Sequence, residues 1–216
     1  MHFKKILIIT IFYGNLYAND VFSSGVWFSD RQEFRNGFEN LQLVVEEKNF
    51  TLAKLSYNEE KKWEETRVLG VVIKNKKGEF LLKPEMCSVY ASKILGLRWV
   101  LIQGFDCDHI EMQITKTGQG IFISPSIGIK DTVLLTGTSN SEKNKIQGRV
   151  ISIEKEKFFV WGLRMRHVKK NASALLNGKT VSILETVDST GTFESKDSVQ
   201  IGDSISITNR EGSLFD

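Results

Sequence analysis

The 216-residue chain has little of several things that would narrow its function: 2 Cys, 2 Pro, 3 His and a formal net charge of only +3. No C-x-x-C is present and no second Cys/His pair stands at zinc spacing, so the two cysteines do not read as a redox or metal pair. The near balance of charge argues against nucleic acid or an anionic membrane surface as the main partner. After the first residues no apolar run approaches the roughly 18 residues of a membrane-spanning helix. Phosphate-cradling loops of the G-x-x-x-x-G-K-[ST] or G-x-G-x-x-G type are absent, as is a G-x-S-x-G nucleophile turn. What remains, 41% hydrophobic and 25% charged residues, is an ordinary globular composition with enough apolar material for a real core.

The N-terminus carries the sharpest local signal. Lys4 and Lys5 precede an apolar run from Ile6 to Tyr13, and Ala18 stands before polar Asn19 and Asp20. That order of charge, apolar stretch and small residue is the pattern of a secretory signal peptide over residues 1–18, and it predicts a periplasmic or secreted, bacterial-type protein. In an oxidising compartment an even pair of cysteines favours a bridge, so a Cys87–Cys107 disulfide is expected, worth roughly 3 kcal/mol by loop entropy.

From Leu41 the pattern turns β-like. Residues 41–45 and 50–57 flank a Glu47-Lys48-Asn49 turn, and residues 68–73 and 79–82 flank Asn75-Lys76-Lys77-Gly78. Further short strands are expected at 109–115, 120–124 and 132–136, and an apolar strand at 98–103. Three segments read as short helices. One follows Ser29, whose Gln32 gives a capping-box form, one runs from Pro84 to Gly96, and one from Met165 to Asn177 with Gly178 as its stop. Residues 137–145 lack large apolar side chains and read as a linker between a β domain, 19–136, and a small β module, 146–216. The predicted fold class is mainly β: an antiparallel meander closed as a barrel or packed as a sandwich, with one or two short helices and a barrel-like C-terminal module.

Gly25-x-Trp27 followed by a meander resembles the opening of the lipocalin and other calycin barrels. The resemblance implies an up-and-down barrel with an apolar cavity for a small ligand near Trp27. The C-terminal part, with Gly148-Arg149-Val150 and Ile201-Gly202-Asp203, resembles small barrels of the OB or SH3-like type, which host many unrelated functions. Phe158, Phe159, Trp161, Arg164, Arg166, His167, Lys169 and Lys170 form the densest aromatic and basic cluster in the chain. Trp161, Arg164, Arg166 and His167 are therefore candidate ligand-binding residues for a protein or glycan partner, although strand alternation must send some of the cluster inward.

The only crowding of carboxylates with a histidine is Asp106-Cys107-Asp108-His109-Ile110-Glu111, where a strand would put His109 and Glu111 on one face. That is half of an acid–base site, and its functional alternative is a small exported hydrolase acting on cell-wall material. No third titratable group is evident, so no cofactor, metal or catalytic residue is assigned. A non-enzymatic binding or assembly role is expected, with a small apolar ligand or a protein or glycan as partner.

Overall fold

The computed structural model describes residues 22–30, 32–34, 37–57, 62–92, 99–107, 112–116, 120–124, 133–139, 145–169 and 172–209. Residues 1–18, the expected signal peptide, lie outside them, as do His109 and Glu111. Among the described residues the chain is built from antiparallel strands, and no helix is long and apolar enough to cross a membrane.

The first ten strands are β1 (Gly25–Ser29), β2 (Gln32–Phe34), β3 (Gly37–Glu46), β4 (Asn49–Tyr57), β5 (Trp63–Lys74), β6 (Phe80–Ser92), β7 (Val100–Asp106), β8 (Met112–Lys116), β9 (Ile121–Ser124) and β10 (Val133–Ser139). β1 pairs with both β3 and β10, so the order β1, β10, β9, β8, β6, β5, β4, β3 returns to β1 as a closed ring. β2 extends β3 and β7 extends β6 outside that ring. Period-two alternation explains which residues fill it: along β3 Leu41, Leu43 and Val45 point inward, while Asn40, Gln42 and Val44 point out. Trp27, Phe50, Leu52, Val68, Met112 and Ile123 pack the same interior.

The remaining strands are β11 (Lys145–Glu154), β12 (Lys157–Trp161), β13 (Ser173–Leu176), β14 (Lys179–Val187), β15 (Thr190–Glu194) and β16 (Ser204–Thr208). They close a second barrel in the order β11, β12, β15, β14, β13, β16. Phe158 and Phe193 stack at its centre with ring centroids 5.6 Å apart. One 3-10 turn, Met165–His167, plugs it with the fully buried Met165. Of the expected linker, Gly137–Ser139 belong to β10 and Lys145 opens β11, while 140–144 lie outside the described residues.

The three expected helices are corrected. Pro84 to Ser92 is the second half of β6, and residues 93–96 lie outside the described residues. Proline is tolerated in this strand because the register slips beside it: Leu69 faces Met86 and Gly70 faces Pro84, leaving Glu85 as the extra residue of a bulge. A Cβ on Gly70 would lie 2.0 Å from the Lys83 carbonyl oxygen and 2.8 Å from Pro84 Cα, so the close approach requires glycine. Beyond the proline, Cys87, Val89 and Tyr90 suit a pleated surface better than a helix. Ser29 ends β1, and its Oγ accepts the Leu41 N–H across to β3 at 2.8 Å instead of capping a helix. Asn177 and Gly178, both at positive φ (49° and 83°), form the tight turn of a β13–β14 hairpin, so Gly178 ends a strand.

Candidate functional site

The outward faces of β1, β3, β4 and β5 are apolar because they pack against the second barrel. Val26, Val44, Leu55 and Trp63 from the first barrel share one buried cluster with Ile151 and Trp161 from the second. At its centre lies Glu65, a carboxylate with no solvent exposure. It accepts hydrogen bonds from Trp161 Nε1 at 2.7 Å and from Ser189 Oγ, and it is ion-paired with Arg67. Arg67 in turn lies over the Tyr90 ring, 4.5 Å from its centroid. A buried charge is tolerated only where donors meet it from several sides, and here two of them come from the opposite barrel. Gln42 Oε1 accepts the Leu163 N–H at 2.8 Å and Glu46 pairs with Arg164 at 3.3 Å, so a row of polar contacts fixes how the two barrels dock.

The candidate residues of the basic and aromatic cluster are thus divided. Trp161 is wholly buried at the junction and presents nothing to solvent. Arg164 is engaged by Glu46. Arg166 and His167 are exposed on the 3-10 turn, where Arg166 Nε donates to His167 Nε2 at 3.2 Å. Partial burial, then the charges of Arg166 and Arg164, hold the His167 pKa below its ordinary value, against a smaller opposing pull from Glu46. Trp27 is 2% exposed, packed against Phe22 at 6.0 Å between ring centroids inside the first barrel.

Among the described residues the largest exposed apolar run lies on β7. Val100, Leu101 and Ile102 are 58%, 56% and 64% exposed. Among the described residues β7 pairs with β6 alone, so its other edge has no strand partner among them. Both ends of this strand are anchored. At the start, Trp99 is buried in the inter-barrel cluster and its backbone N–H donates to Asp188 Oδ2 of the second barrel at 3.2 Å. At the end, Cys107 is bonded to Cys87 of β6, with the two Cα atoms 5.9 Å apart. Between the anchors the register slips once: Val89 faces Gln103 and Tyr90 faces Leu101, so Ile102 is an unopposed bulge residue.

Sequence reasoning placed an apolar strand here and paired the cysteines, but a Val-Leu-Ile run reads as buried. Exposure follows from a topology in which β6 runs on past Leu82, the last residue it pairs with β8, still paired with β5 on one edge and carrying β7 on the other. Among the described residues no three His, Cys, Asp or Glu side chains converge to hold a metal ion. No protein-family model, curated protein or solved structure matches the chain.

Proposed function

We propose that the chain is an exported, non-enzymatic assembly protein that captures an extended segment of another polypeptide along the free edge of β7. The observation that carries this reading is a strand anchored at both ends whose middle exposes three consecutive large apolar residues, Val100, Leu101 and Ile102. Such an edge is an aggregation hazard unless covered, and soluble proteins ordinarily blunt it with charge. A small apolar ligand would cover the side chains but leave the backbone groups of the edge unpaired. An added strand satisfies both, with side chains on alternate faces giving specificity. The anchors at Trp99 and Cys107 mean that little order has to be created on binding, which favours affinity. The leader-like order of residues 1–18 and the disulfide support a periplasmic or secreted location.

The test is site-specific photo-crosslinking in the host, with the reactive residue at Ile102 or, as a control, at the 45%-exposed Leu184 of β14. A discrete polypeptide adduct at Ile102, absent at Leu184 and lost when Leu101→Lys is added, is expected. No adduct at Ile102, equal adducts at both sites, or an adduct that is a second copy of this chain would overturn the reading.

A further inference from the structure

A groove of about 460 Å³ runs between the two barrels on strands other than β7. Such a volume is in the ordinary range for small-ligand sites. Its charged residues, Lys145 and Arg149, are both cations, and no Asp or Glu is among the residues that line it. Arg149 is held in place: its guanidinium lies over the Phe28 ring, 5.4 Å from the centroid, and Nη1 donates to the Gly202 carbonyl at 3.2 Å. Its Nε–H is buried without an acceptor, and among the described residues no carboxylate pairs with either cation. Asp203, next to the Gly202 that Arg149 contacts, has its carboxylate turned to the Gln200 N–H at 2.8 Å. A partly buried guanidinium without a counter-charge is costly, and an anion in the groove would relieve it.

The rest of the lining narrows the ligand. Thr136, Asn177, Ser204 and Ser206 offer hydroxyls and an amide, and Gly137 and Gly178 leave room beside them. Of the strands that bound the groove, β16 is paired with both β11 and β13, while Thr136 and Gly137 of β10 pair with β1 and Lys145 to Gly148 of β11 pair with β16. The side chains on offer, hydroxyls, the amides of Asn177 and Gln147 and two cations, are a set that suits a polyhydroxylated, carboxylate-bearing sugar.

We infer that the groove between the barrels binds an acidic oligosaccharide, with Arg149 and Lys145 holding its carboxylates. The site uses neither β7 nor its anchors, so it stands or falls separately from the proposed strand capture. The test is calorimetric titration of the full chain with trigalacturonate, with a neutral trisaccharide and with triglutamate as comparisons, at low salt. Saturable binding of trigalacturonate is expected, at least tenfold tighter than that of the other two. It should weaken about tenfold in Arg149→Gln and in Lys145→Gln, and persist in Ile102→Lys. Lys145 lies at the start of β11, so its variant reports on the groove even if Arg149→Gln disturbs the fold. Equal binding of triglutamate would reassign the groove to acidic peptides. Unchanged affinity in both variants, or no binding of trigalacturonate, would remove the site.

Discussion

At the scale of single residues, the arrangement turns on Glu65. Its wholly buried carboxylate is satisfied by Trp161, Ser189 and Arg67, and replacing it leaves those donors facing an apolar interface. Glu65→Ala should cost about 3–5 kcal/mol, the range for removing one partner of a buried pair, whereas Trp161→Phe, which removes one hydrogen bond, should cost about 1–3 kcal/mol. Urea denaturation of the purified chain checks both. Nothing in the sequence marks Glu65 out from Glu64, because only the pairing of β5 decides which of them faces the second barrel. His167 gives a second prediction. Its pKa in the fold is lowered, first by desolvation and then by Arg166 and Arg164, so below an unfolded value of about 6.5 the unfolded chain binds more protons. Stability should be full above that pH, fall as pH drops through the lowered folded value, and level off below it. His167→Gln should abolish this step, and an NMR titration of the imidazole should give a midpoint below 6.5.

At the scale of elements, β6 and β7 carry the argument. The disulfide closes a loop between Cys87 and Cys107, 20 residues apart in sequence, and the double Cys→Ser chain should lose about 3 kcal/mol by loop entropy. Because the bond fixes the end of β7, the same chain should show faster amide exchange across residues 100–106 than its global loss of stability explains. Gly70→Ala should destabilise more than an ordinary strand substitution, since the added methyl meets the β6 backbone opposite Pro84. Strand alternation and hairpin turns were legible in the sequence at Glu47-Lys48 and Asn75 to Gly78, as were the cysteine pair and the mainly β class. The helices read at Pro84 and Met165 were not real, and for one reason: Pro and Gly stop both kinds of element, so they mark boundaries without saying what lies between them. Asn177-Gly178 was the stronger hairpin signal. β15 went unread because Thr190 to Glu194 contains one large apolar residue, Phe193, which nonetheless fills the centre of the barrel.

At the scale of the molecule, two closed barrels share a buried apolar face and a row of cross-barrel hydrogen bonds. Unfolding should therefore be a single transition, with the fluorescence of Trp63, Trp99 and Trp161 at the junction changing together with that of Trp27 inside the first barrel. In Glu65→Ala the junction should loosen and the transition should split or broaden. Docking also holds β7 in place, since Trp99 is seated against the second barrel. The candidate site was only partly legible for the same reason: Val100, Leu101 and Ile102 have the composition of a core strand, and only the assembled topology leaves them in solvent. Ile102→Lys should leave thermal stability within about 0.5 kcal/mol of the parent, as expected of a surface change, while abolishing partner capture. The most direct measurement is amide hydrogen exchange across Val100–Phe105 in the purified chain and in the same chain bound to its captured partner. Added protection at alternate residues of β7, on the edge facing away from β6, is the expected result. A bound partner that leaves β7 exchange unchanged would contradict capture by strand addition.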